Sequence, residues 1–169
     1  KFLNQSIVDP NNYFSTGGNE YFNIKNNINT FEKEFKINVF IYMIDSMDYS
    51  FNRDPKLFAD QIAYKIWGGN LEKDENTMII LMSISDRKNR VRTGKLVKKL
   101  ISDNYLKYYL DNIKGDLRAT NYTTAIDKLL TNILNNIRGE NYYERFCDFL
   151  IALGTINTFY NINNYLGNL

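Results

Sequence analysis

The sequence contains no histidine and a single cysteine, Cys147. That removes imidazole metal ligands, Ser-His-Asp triads and Cys-His pairs together, and a lone cysteine excludes an internal disulfide. Cys147 stands in the apolar run Phe146-Cys147-Asp148-Phe149-Leu150-Ile151, which reads as a buried, inert thiol. Any chemistry therefore falls to carboxylates, lysine, tyrosine or a metal held by oxygen. Four aspartates occupy suggestive places: Asp9 before Pro10, Asp45 and Asp86 after long apolar runs, and Asp103 at the start of a helical stretch. In an open α/β sheet, ligands bind beyond the carboxyl ends of the parallel strands. That rule selects Asp45, Ser46 and Asp48 after one strand and Ser85 and Asp86 after the next, with Asp9 and Asp103 approaching from neighbouring segments. Such oxygen ligands suit Ca²⁺ or Mg²⁺, and two acids on a metal can orient water toward a phosphate. Each group also has a purely structural use. Asp45 can cap its loop, Asp86 can bond its own turn, and Ser102-Asp103-Asn104 can cap a helix.

These groups matter only if the chain's elements bring them together. A short extended piece, Ser6-Ile7-Val8, enters a turn at Asp9-Pro10. From Asn19, the residues Tyr21, Phe22, Ile24, Ile28, Phe31 and Phe35 recur at helical spacing. Residues 37–44 form a continuous apolar, β-rich run that predicts a strand buried on both faces. After Pro55, a favourable first helical residue, Leu57, Phe58, Ile62, Ile66 and Trp67 predict a second helix, closed by Gly68-Gly69-Asn70. A charged loop over residues 71–77 leads to a second buried strand at 78–84. The order strand, helix, strand makes that pair parallel. A tight Ser85-Asp86-Arg87-Lys88 connection then returns the chain as an antiparallel strand at 89–93, half exposed or at an edge. Leu96, Leu100 and Ile101 begin a helix that runs on through Ile113 and is broken at Lys114-Gly115. A last clear helical stripe extends from Tyr122 to Ile137. The expected fold is α/β: a small mixed, mainly parallel sheet of three to four strands, helices on both faces, and a helical C-terminal part. Residues 1–138 form the domain. Residues 139–169, with Tyr142, Tyr143, Phe146, Phe149, Leu150 and Leu153 at helical spacing, form an extension that packs back or leads to an anchor or partner.

Composition narrows the partners. The 21 basic and 19 acidic residues leave a net charge of +2 without any block of one sign, so nucleic acid is not an expected partner. The cluster Arg87, Lys88, Arg90, Arg92, Lys95, Lys98, Lys99 is the local exception, either a solvated face or a site for an anion or acidic partner. The 13 Tyr and 11 Phe suit a core between sheet and helices. The stretch 146–160 is too short and too interrupted to span a bilayer. The chain begins at Lys1 rather than Met, which fits a processed piece whose signal or anchor lies outside it.

The order of these elements and the residues at their ends resemble the TPM domain family, which includes thylakoid-lumen phosphatase-like proteins and the MOLO-1 proteins of animals. The likeness spans about residues 7 to 138. It rests on Val8-Asp9-Pro10 with Tyr13-Phe14-Ser15, on Ser46-Met47 after the first long strand, and on Trp67-Gly68-Gly69 closing the second helix. Glu75-Asn76-Thr77 enters the next strand, followed by Asp86-Arg87-Lys88, Thr93-Gly94, Leu100-Ile101-Ser102-Asp103 and Asn121-Tyr122-Thr123-Thr124-Ala125. The family often continues Gly-x-Gly-Leu-Glu where this chain reads Gly94-Lys95-Leu96-Val97-Lys98, so an ammonium stands in place of a carboxylate. The acid of its Asp-Asn-Gly segment is here Glu75. The MOLO-1 branch implies a non-catalytic interaction domain of a secreted or membrane-tethered protein, on the non-cytosolic face, whose partner is a membrane protein or larger assembly. The thylakoid branch implies the alternative, a metal-assisted acid phosphatase using Ca²⁺ or Mg²⁺.

Overall fold

A computed structural model of the protein describes residues 5–48 and 52–139. The expected helix from Tyr142 to Leu153, the buried Cys147 and nearly all of the 139–169 extension lie outside those residues. The order of elements is β1 (Ile7–Val8), α1 (Asn19–Phe35), β2 (Asn38–Ile44), α2 (Pro55–Trp67), α3 (Leu71–Glu75), β3 (Thr77–Ser83), β4 (Lys88–Thr93), α4 (Val97–Leu100), α5 (Asp103–Asn112), α6 (Lys114–Arg118) and α7 (Tyr122–Arg138).

The sheet has the order β1-β2-β3-β4. β1 pairs with β2 and β2 with β3 in parallel, and β3 pairs with β4 antiparallel. The mixed, mainly parallel sheet is therefore the one the sequence predicts. Every residue of β3 is buried, and so are the five central residues of β2, because helices cover both faces. Side chains alternate across a strand. On one face Val8, Phe40, Tyr42, Ile79 and Leu81 meet Ala59, Ile62 and Ala63 of α2, with Ile66 and Trp67 at the margin. On the other, Val39, Ile41, Met43, Met78, Ile80 and Met82 are equally buried. Their cover comes from the apolar stripes of α1 (Ile24, Ile28, Phe31) and α7 (Ile126, Leu129, Leu130, Ile133). These two helices lie side by side, joined by Asn23 Nδ2 to Asp127 Oδ2 and Asn27 Nδ2 to Thr131 Oγ1. Full burial of one such side chain contributes about 2 kcal/mol, so this two-sided core sets the fold. The last turn of α7 runs through residues 135–138 and ends at Gly139, whose φ is +73°.

The structure departs from the sequence reading in four places. The charged segment after Gly69 is a helix, α3, because the Asn70 side chain accepts from the Lys73 amide and starts it. The single helix expected through Ile113 is two pieces, α4 and α5, since Ser102 caps α5 through the Tyr105 amide; the expected break at Lys114-Gly115 is instead the start of α6, with Gly115 inside it. Phe22 and Leu57, counted in apolar stripes, are 65% and 50% exposed; Phe22 stands two residues from Ile24, on the opposite side of α1. Leu96 and Leu100 are exposed as well, while Val97 and Ile101 supply the buried contacts of that short helix.

Candidate functional site

The carboxyl ends of β1, β2 and β3 meet in three loops, and the predicted acids fall there in part. Asp9 follows β1 and folds its own loop: its carboxylate accepts from the amides of Tyr13 at 2.9 Å and Phe14 at 2.8 Å. The Tyr13 hydroxyl, so placed, donates to Asp45 Oδ1 at 3.1 Å, and the Ser85 hydroxyl donates to the same oxygen at 2.6 Å. Burial pushes the Tyr13 phenol above its ordinary range, and the Asp45 carboxylate beside it adds to this. Tyr13 is thus held as a neutral donor. The main chain closes the same gap, with the Ser85 amide on the Asp45 carbonyl at 2.7 Å and the Ile84 amide on the Ile44 carbonyl at 3.0 Å.

Asp86 is the centre of this region. Its side chain is 2% exposed and engages both oxygens. Oδ2 accepts from the Met47 amide and the Ser83 hydroxyl, both at 2.7 Å, and Oδ1 faces Arg53 Nη1 at 3.2 Å. The Met47 amide, the Ser83 hydroxyl and then the Arg53 and Lys88 charges hold its carboxyl below the usual carboxylate range, against the opposing effect of burial. One carboxylate thereby ties the loop after β2, the end of β3 and the Arg53 loop. Arg53 and its neighbour Asn52 hold left-handed φ values of +51° and +49°, a conformation that persists only where contacts enforce it. Lys88 Nζ adds a bond to the Arg53 carbonyl at 2.6 Å.

The structure thus brings Asp45 and Asp86 together and sets Asp9 in the adjoining loop. Ser46 and Asp48 are exposed on the loop after β2. Asp103 is elsewhere: it is an exposed first-turn residue of α5, and α5 follows β4, whose last residue Thr93 pairs with Met78 at the opposite end of β3. Among the described residues no three Asp, Glu or Cys side chains are grouped to hold a metal ion. The donor chemistry agrees, since Asp9 and Asp86 already spend both oxygens on protein donors.

The amino end of the same strands is closed in a similar way. Arg92 forms a two-pronged pair with Asp74 at 2.7 Å on each prong, and its Nε donates to Asp60 at 2.6 Å. Burial alone lowers the guanidinium's pKa, yet the two carboxylates more than offset this and leave it raised. Trp67 Nε1 donates to Thr77 Oγ1 at 2.8 Å, and that hydroxyl donates to the Lys73 carbonyl. The Trp67 ring meets Phe40 edge-on at 5.8 Å. Gly94 passes so close to the end of α3 that a Cβ there falls 2.0 Å from the Asp74 carbonyl oxygen. The Trp-Gly and Thr-Gly motifs are therefore joints of the fold. Arg92 leaves the solvated basic face in which its sequence neighbours place it.

Beside the Asp86 turn opens a groove of about 780 Å³, between the β3–β4 connection and α6. Arg87 and Lys88 of the β3–β4 connection line it together with Lys114, Leu117 and Arg118 of α6 and Tyr122. Sequence reasoning found Arg87 and Lys88 but not Lys114 or Arg118, nor Arg53 as the partner of Asp86. The Ser83-to-Asp86 spacing was a readable signal, since such a pair commonly bonds across a turn. Arg53 carries no such signal, because only the tertiary fold brings it to Asp86.

A mainly parallel sheet, covered on both faces and returning through an antiparallel edge strand, defines a small α/β domain. The sequence pattern of the TPM domain matches residues 7–136, and the chain belongs to that family. Among solved structures, the chain is similar to the N-terminal domain of the cg2496 protein from Corynebacterium glutamicum, with a TM-score of 0.59, 16% identity, and coverage of 80% of this chain and 81% of that one. At that identity the likeness is one of fold. Comparison with curated proteins gives no match.

Proposed function

We propose that this chain is a non-catalytic protein-interaction domain of a secreted or membrane-tethered protein, with an auxiliary or assembly role of the MOLO-1 kind. The observation that carries this reading is the state of Asp86. The acid best placed for chemistry by the topology of the sheet is consumed as an acceptor for Met47, Ser83 and Arg53. A general base or metal ligand needs a lone pair directed at the substrate, whereas both oxygens of Asp86 point into protein. Tyr13, its phenol pushed up, and Ser85 both donate to Asp45, so that acid too is engaged in holding the loops together. The partner of such a domain is another protein, a membrane protein or larger assembly. Among the described residues no helix is long and apolar enough to cross a membrane.

The test is a phosphomonoester assay on the full chain with added Mg²⁺ or Ca²⁺, repeated on Asp45→Ala and Asp86→Ala. The expected result is no turnover above the blank for any of the three. Saturable turnover in the parent that disappears in either variant would overturn the proposal in favour of the metal-assisted phosphatase.

A further inference from the structure

We propose that the groove beside the Asp86 turn docks an acidic peptide segment of the partner, a refinement that rests on the interaction reading above. It presents four cations, Arg87, Lys88, Lys114 and Arg118, and among the described residues no carboxylate lines it. Two of the four are held in place. Lys88 spends one donor on the Arg53 carbonyl, and Lys114 is paired with Asp111 at 2.6 Å in an exposed pair that contributes little and exchanges readily. The side chains of Arg87 and Arg118 make no hydrogen bond or ion pair among the described residues. Each guanidinium offers a planar fork of donors that matches a carboxylate.

Position adds to charge. Arg87 sits at φ +52° in a turn whose neighbour Asp86 is fixed on three sides, so its backbone is set before any partner arrives. Preorganisation of this kind lowers the cost of binding. The cations come from two elements, the β3–β4 connection and α6, and the apolar Leu117 and the Tyr122 ring line the same groove. That arrangement suits a chain with several carboxylates on aliphatic stems. A single small anion fills little of a groove this size. Nucleic acid is poorly matched as well, because the chain carries a net charge of only +2 without a block of one sign.

The experiment uses the full chain and a fluorescein-labelled hexaglutamate peptide, read by fluorescence anisotropy at low and high salt. The same peptide with glutamine at every position serves as control. Saturable binding of the glutamate peptide alone is expected, weakening with salt. Affinity should fall about tenfold or more when Arg87→Glu is combined with Arg118→Glu. Arg118→Gln, on exposed α6, gives a milder loss and guards against misfolding of the double variant. Lys98→Glu with Lys99→Glu should leave affinity unchanged. No saturable binding, equal loss from the Lys98 and Lys99 changes, or displacement by equimolar inorganic phosphate would each overturn the groove assignment. Failure of the groove without phosphatase turnover leaves the interaction reading standing, whereas turnover dependent on Asp45 or Asp86 removes that reading itself.

Discussion

The two ends of the parallel strands are built alike and finish differently. At the amino end, Arg92 is clamped between Asp60 and Asp74, Trp67 is tied to Thr77, and Gly94 presses against the Asp74 carbonyl. At the carboxyl end, Asp86 gathers Met47, Ser83 and Arg53, and Asp45 gathers Tyr13 and Ser85. Both are polar braces that satisfy buried groups where strands stop and ladder partners run out. The difference is what lies alongside. The carboxyl-end brace borders a groove with arginines to spare, while the guanidinium of the amino-end brace is fully committed. A topological rule that directs attention to the carboxyl end leads to the groove proposed here as the docking site. It is misleading about which residues there are available.

The comparison can be broken in order of expected effect. Gly94→Ala should be the most damaging, because its new methyl meets backbone that cannot move aside; a loss of about 3 kcal/mol in chemical denaturation is expected. Arg92→Ala should cost about 2 kcal/mol by leaving the Asp74 carboxylate without its two-pronged donor. If Arg92→Lys restores full stability, the fork geometry is not what matters at that end. At the carboxyl end the signature is pH. The carboxyl of Asp86 lies lower in the folded chain than in the unfolded one, so the stability it contributes is complete above the ordinary carboxylate pKa, about 4. That stability is lost as pH falls through the lowered folded value. Asp86→Asn should therefore lower the thermal midpoint at neutral pH and flatten the fall in stability on acidification. Equal acid sensitivity in both proteins would remove Asp86 from the brace. Arg118→Ala, in the groove, should change stability by no more than about 0.5 kcal/mol. A larger change would mean that the groove is part of the scaffold.

Much of the fold was legible because burial on both faces leaves a plain mark. The apolar runs of β2 and β3 can hardly belong to anything else, and Pro55 behind the Asp54 cap announces α2. The α3 helix was illegible to periodicity, since its charged residues bury no stripe and its start depends on one side-chain cap at Asn70. The break at Ser102 was hidden by leucines and isoleucines that keep helical spacing across it, whereas Lys114-Gly115 marked the end of α5 to within two residues. For the site, the strand ends correctly placed Asp45 beside Asp86. Asp103 was misplaced because the reading did not follow β4 back to the amino end before α5 begins. The engagement of Asp86 depends on Arg53, and that of Arg92 on Asp60 and Asp74. Contacts between residues so far apart in the chain leave no local pattern. The oxygen chemistry of an aspartate is visible in a sequence, but whether its lone pairs are already occupied is a property of the packed loops.

The most direct measurement is the thermal midpoint of the full chain and of Asp86→Asn, each with and without millimolar Ca²⁺ or Mg²⁺. A ligand that binds the native state raises the midpoint. If Asp86 is a structural acceptor, the variant melts lower than the parent and neither responds to the cation. A midpoint that rises with cation in the parent and stays unchanged in Asp86→Asn would contradict the account, because it would make Asp86 a metal ligand.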